Sequence, residues 1–156
     1  VAANDNGGGQ IVAAGDLEAL AALAPDGARV RALAVAGAFH TSYMQPAVEP
    51  MRALAASIAV TDSFVGVLSN KDGAILHSGR EILDRIVNQI ANPVRWDLCM
   101  QTLETEGVSG VIEVAPAGTL VGLIKRAAPS IEQYALKSPA ELDGGATFIS
   151  THGGKQ

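Results

Sequence analysis

Three histidines, one cysteine and sixteen carboxylates are the groups of this 156-residue chain best suited to proton transfer, nucleophilic attack or metal binding. His40 has the most suggestive setting. It follows a short apolar run, sits beside Phe39 and precedes a helix start at Thr41-Ser42. That is the strand-to-helix edge where α/β sheets place their ligands. An imidazole with an ordinary pKa of about 6.5 can accept and return a proton near neutrality. From position alone, a structural histidine and a general base both remain open. His77, on a loop between a strand and a helix, and His152, in a polar tail, read as solvated surface residues. Cys99 lies mid-helix among apolar neighbours and reads as core. Neither His nor carboxylate pairs show the i, i+4 spacing of a helical metal site, so no metal is expected. Gly7-Gly8-Gly9 lacks the order of a nucleotide loop and reads as a turn. No G-x-S-x-G elbow occurs. The residues offer a base without a nucleophile.

The elements that would carry these groups alternate between strands and amphipathic helices. Gln10 to Ala14 is a strand candidate, and Asp16 caps a helix to about Ala24. Val30 to Ala36 is apolar and short enough for a second strand. Met44, Ala47, Val48, Met51, Leu54, Ala55 and Ile58 then recur at helical spacing along one face. Phe64 to Ser69 reads as a buried strand closed by the turn Asn70-Lys71-Asp72-Gly73. Ser78 and Glu81 have capping-box spacing ahead of a helix that Asn92-Pro93 breaks. A helix from Trp96 to Glu106, a strand from Val111 to Val114, a helix from Ala117 to Ala127 and a strand from Gln133 to Leu136 complete the alternation. This predicts an α/β fold with a largely parallel sheet. From Gly144 onward the period fades, and a frayed end is expected.

Composition closes off other functions. Apolar residues make up 48% and charged residues 17%, the profile of a packed protein. Eleven Lys and Arg against sixteen Asp and Glu leave a net charge of −5, which argues against nucleic acid as the partner. No run approaches the roughly 20 apolar residues of a membrane span, so no membrane association is expected. One cysteine excludes an internal disulfide and fits a reducing cytoplasm. The start at Val1, without Met and without a signal-peptide pattern, reads as an internal piece of a longer protein.

Five segments, in order, resemble the malonyl-CoA:acyl carrier protein transacylases. Asn6 to Gly15 is similar to their N-x-x-G-Q-x-V-x-x-G stretch. Ala38-Phe39-His40-Thr41 with Met44 and Pro46-Ala47 resembles the active-site turn. Leu68-Ser69-Asn70 with Gly73 resembles a strand end, and Gln89 with Pro93-Val94-Arg95-Trp96 the Q-x-x-x-PV-x-W segment. Glu113-Val114 with Pro116, Gly118, Leu120 and Leu123 through Arg126 resembles the E-V-G-P-G ending, with Ala115 and Ala117 in place of glycines. The likeness covers about residues 4 to 139.

The resemblance implies a hydrolase-like acyltransferase core in its C-terminal part, residues 38–140. It also implies part of a ferredoxin-like small subdomain, 1–37, and a flexible tail, 141–156. It implies that the parent protein moves malonyl from malonyl-CoA to the phosphopantetheine thiol of an acyl carrier protein in cytoplasmic fatty acid synthesis, without a cofactor. The family's nucleophilic serine, in a GHS-x-G elbow, and the arginine for the malonyl carboxylate lie in an N-terminal part not among these residues. That missing N-terminal part is therefore an implied partner, and the chain alone should form no malonyl adduct. The resemblance makes His40 the base and the Gln89 backbone carbonyl its orienting acceptor; the alternative for Gln89 is an ordinary helix-end residue. Gln89→Ala is then expected to be mild. Phe39 would select malonyl over methylmalonyl by crowding an α-methyl group, or would simply pack. Asn6 would line the cleft, or serve its turn. Two rival readings are a polyketide synthase acyltransferase segment and a non-catalytic piece that binds coenzyme A or a carrier protein.

Overall fold

Two helices that bury one stripe against each other carry the region around His40. The structure, a computed structural model, describes residues 1–153. Helix α2 runs over Gln45–Ala56, entered through a 3-10 turn at Ser42–Met44, and α3 over Gly79–Gln89. Val48 and Ala55 of α2 meet Val87 of α3, with Leu83, Ile90 and Ala91 packed around them. A branched side chain buried this way contributes about 1.5–3 kcal/mol. The Ser78 hydroxyl accepts from the Glu81 N–H, so the expected cap starts α3. The other half of the α2 stripe is uncovered: Met51, Leu54 and Ile58 are exposed.

The second core lies where α4 (Trp96–Thr105) meets a parallel β-α-β unit. This unit is β6 (Gly110–Val114), α5 (Thr119–Ala127) and β7 (Glu132–Leu136). Strands β6 and β7 pair in parallel from Gly110 opposite Glu132 to Val114 opposite Leu136. Met100, Ile124, Ala128 and Ile131 fill the space between them and the helices.

Short strands tie the two cores together. β1 (Ala2–Asp5) pairs antiparallel with β2 (Ile11–Ala13) and in parallel with β5 (Val94–Arg95), Asn4 facing Val94. Residues 2–5 therefore share a sheet with the segment that follows α3. β3 (Val67–Leu68) and β4 (Ile75–Leu76) form a hairpin. In its turn Gly73 has φ 73°, and a Cβ there would stand 2.6 Å from the Leu98 carbonyl oxygen. Only glycine fits.

The mixed α/β class agrees with the alternation read from the sequence, although the described strands fall into three small sheets. Several elements differ from expectation. The first helix, α1, is shorter than predicted, Leu17–Ala21, with Asp16 as its cap. Val30 to Ala36 is not a strand: Val30, Leu33 and Val35 are exposed, and the Val35 N–H turns back to the Leu33 carbonyl. An apolar run without a neighbouring strand gains no ladder hydrogen bonds. Phe64 to Ser69 is not a buried strand either, since only Val67 and Leu68 pair and Phe64 is 98% exposed.

Where a tail was expected from residue 141, a helix α6 spans Leu142–His152; residues 154–156 of that tail lie outside the described residues. The helix is held by rings. Phe148 stacks on Tyr134 at 5.7 Å and on His152 at 4.3 Å. His152 is thus no free surface residue: its Nδ1 lies 3.0 Å from the Ser109 hydroxyl and its Nε2 3.4 Å from a Glu132 oxygen.

Candidate active site

His40 is the described non-glycine residue with a positive φ, 60°. The left-handed region crowds a Cβ, and such a residue costs roughly 1–3 kcal/mol. Specific contacts hold it there. The buried Thr41 hydroxyl donates to the Ala38 carbonyl at 2.6 Å and accepts from the Tyr43 N–H at 3.2 Å, closing the loop on both sides of His40. The His40 backbone N–H donates to the Ile90 carbonyl at 3.2 Å. The ring then reaches the residue before: Nδ1 stands 2.8 Å from the Gln89 carbonyl oxygen. A carbonyl can only accept, so this contact places the proton on Nδ1 and leaves the Nε2 lone pair free.

Gln89 ends α3 and Ile90 is its C-cap, and neither carbonyl has the N–H four residues on that a continuing helix would supply. This is the end of the helix where donors find open acceptors. The ring is half-buried. A tethered tautomer and a free lone pair suit a general base.

Phe39, which precedes His40 in the chain, is 46% exposed, so its phenyl is not buried in a core of the described residues. Asn6 lies just beyond β1, in the turn to β2, its N–H bonded to the Gln10 carbonyl at 2.9 Å. The pairing of β1 with β5 puts Asn6 beyond the pair Asp5 and Arg95, after the segment that carries Gln89. The structure thus joins His40 to Gln89 directly, keeps Phe39 adjacent in the chain, and sets Asn6 on a neighbouring loop.

The remaining groups are occupied elsewhere. Arg95 grips Asp97 with Nε at 2.9 Å and Nη2 at 2.7 Å, and this hydrogen-bonded pairing holds Asp97 below the usual carboxylate range despite some burial. Burial, then the charges of Asp97 and Asp72, push the Cys99 thiol up to about 11. His77 donates from Nδ1 to the Ser63 carbonyl at 3.0 Å on the surface. Among the described residues no group of three His, Cys, Asp or Glu could hold a metal ion, and no helix is long and apolar enough to cross a membrane.

Sequence reasoning from residue types missed Thr41 and Glu113. Burial works against the Glu113 charge, but N–H groups of Val121, Leu120 and Gly118 hydrogen-bond it and keep it ionised below the ordinary range. Its five-residue lead over Gly118 was the available signal, because a carboxylate just ahead of a helix can cap it from the preceding strand.

No family model matches the chain. Individual relatives do. The malonyl CoA-acyl carrier protein transacylase of Mycobacterium tuberculosis is 51% identical over 146 residues, covering 92% of this chain and 48% of the relative. The crystal structure of MCAT from Mycobacterium tuberculosis superposes with a TM-score of 0.87 at 50% identity, covering 92% of this chain and 49% of that one. A structure of a type II PKS acyl-carrier protein in complex with its malonyl-transacylase matches with a TM-score of 0.67 at 30% identity, over 71% of this chain and 36% of that one. The chain spans about half the length of the curated relatives it matches.

Proposed function

The chain belongs to the family of the malonyl CoA-acyl carrier protein transacylases, and from that membership we propose that it supplies their general base, His40. The whole protein would move malonyl from coenzyme A to an acyl carrier protein thiol, in the cytoplasm, for fatty acid synthesis. Residues 1–37 would supply part of its small subdomain and residues 38–140 the C-terminal part of its core. The observation that carries the reading is the 2.8 Å contact from His40 Nδ1 to the Gln89 carbonyl, which leaves Nε2 free to work.

In the proposed reaction a serine outside these 156 residues attacks the thioester carbon. Nε2 takes the hydroxyl proton as the oxygen–carbon bond forms. The tetrahedral adduct collapses, the carbon–sulfur bond breaks, and the imidazolium returns the proton to the departing thiolate. The second half runs in reverse with the carrier thiol: Nε2 accepts its proton, sulfur attacks the ester, and the serine oxygen is reprotonated. The backbone carbonyl takes the role a buried carboxylate has in hydrolases, fixing the tautomer and steadying the cation. Partial exposure of Phe39 supports placing its ring against the acyl group rather than in a core. Asn6 would line the cleft from the turn between β1 and β2.

The test uses the full-length protein with malonyl-CoA and phosphopantetheinylated carrier protein, followed by the mass of the carrier. His40→Ala should lose on the order of 10²- to 10⁴-fold in rate. Transfer at the parental rate by that variant would sink the reading.

A further inference from the structure

The end of α3 is arranged so that one carbonyl is left short of a donor. In a continuing helix the Gln89 carbonyl would accept from the N–H four residues on. That residue is Pro93, which has none. The neighbouring carbonyls are engaged. Asn88 accepts from the Asn92 side-chain amide at 2.7 Å, and Ile90 accepts from the His40 N–H at 3.2 Å. The Asn92 N–H touches the Gln89 carbonyl at 3.3 Å, a long bond that uses one of its two lone pairs. The His40 ring takes the other.

The Gln89 side chain folds back across the same turn. Its amide nitrogen lies 2.8 Å from the Asn92 carbonyl and 2.7 Å from the Pro93 carbonyl. Both partners can only accept, so both amide hydrogens must face them, and the orientation of the amide follows. One residue therefore offers its main-chain oxygen to the base while its side chain ties down the turn.

We propose that the Gln89 side-chain amide and Pro93 are positioning residues for His40. Pro93 withholds the N–H that would compete for the Gln89 carbonyl. The amide locks the Asn92-Pro93 turn, so that carbonyl stays aimed at Nδ1. This rests on the reading of His40 as the base. It gives work to a side chain whose identity would not matter if only its carbonyl were used.

The experiment follows kcat, KM and the His40 ring tautomer by ¹⁵N NMR in full-length protein above the imidazole pKa. Gln89→Leu keeps the bulk and removes both donors; Pro93→Ala restores the competing N–H. In the parent the Nδ1-protonated tautomer should stand alone. Gln89→Leu should lower kcat on the order of tenfold, well short of losing the base, with KM held within about twofold and both tautomers visible. Pro93→Ala should move each readout the same way, by less. A parental kcat in Gln89→Leu overturns the proposal, and so does a reduced kcat with the Nδ1–H tautomer still alone. Loss of transfer in His40→Ala alongside either result would confine the failure to the positioning role.

Discussion

Among the helix ends that receive a titratable side chain, two stand at opposite poles. The C-terminus of α3 offers carbonyls to the His40 ring, while the N-terminus of α5 offers three N–H groups to the Glu113 carboxylate. The first end presents acceptors to a ring donor, and the dipole at the second favours a negative carboxylate. The difference lies in what is left over. Both Glu113 oxygens accept, from three donors in all, and the group is held ionised as a cap for a helix whose own first residue follows Gly118. His40 spends one nitrogen and keeps the other. A fully satisfied group stabilises; a half-satisfied one can react.

The sharpest way to break this contrast is to remove each group and read both stability and transfer. His40→Gly should lose 10²- to 10⁴-fold in transfer rate while its unfolding free energy in urea stays within about 1 kcal/mol of the parent. Glycine accepts φ 60° freely, which offsets the lost ring hydrogen bond. A large loss of stability would make His40 a structural residue. Phe39→Ser comes next. If the ring meets the acyl group as proposed, removing it should shift the malonyl-to-methylmalonyl kcat/KM ratio by about 1–3 kcal/mol, the worth of one methyl, and an unchanged ratio would assign the ring to packing.

Glu113→Ala should behave inversely to His40→Gly. It should cost about 1–2 kcal/mol of stability by chemical unfolding, with kcat nearly parental. Because the folded carboxyl is depressed, its contribution is fully present above the ordinary glutamate value of about 4.3 and fades as pH falls through the lower folded value. The parent and Glu113→Ala should therefore converge in stability in acid; a constant gap would exclude the carboxylate as its cause. The smallest effect is expected from Thr41→Val, about 1 kcal/mol for a buried hydroxyl that bridges Ala38 and Tyr43. An unchanged melting temperature would show that the His40 turn holds without it.

Long periodic elements were legible in the sequence and short ones were not. The start of α3 follows from its Ser78 cap, and the ends of α3 and α4 from Pro93 and Gly107, because each is a local chemical signal. β1, β4 and β5 escaped notice, since two to four residues carry too little alternation to separate a strand from a loop. Val30 to Ala36 and Phe64 to Val65 were over-read because an apolar run states a preference for burial, not the existence of a neighbour. α6 was hidden by Gly144-Gly145 and by Ser and Thr, whose helix preference is weak; the Tyr134–Phe148–His152 stack that fixes it joins distant positions. At the site, residue types could single out a histidine just ahead of a helix start, although the strand expected before it does not form. Its acceptor is a main-chain oxygen, which every residue possesses, so Gln89 came only with the family likeness. Pro93 was read as a helix breaker; what it does to the carbonyl four residues back needs the backbone in view.

The buried thiol of Cys99 has a practical side. With its pKa near 11, only about one molecule in 10⁴ would carry the thiolate at neutral pH, so sulfhydryl-reactive dyes should pass this residue by. A thiol-directed label could then be aimed at a cysteine introduced on the surface, with this buried sulfur left unmodified.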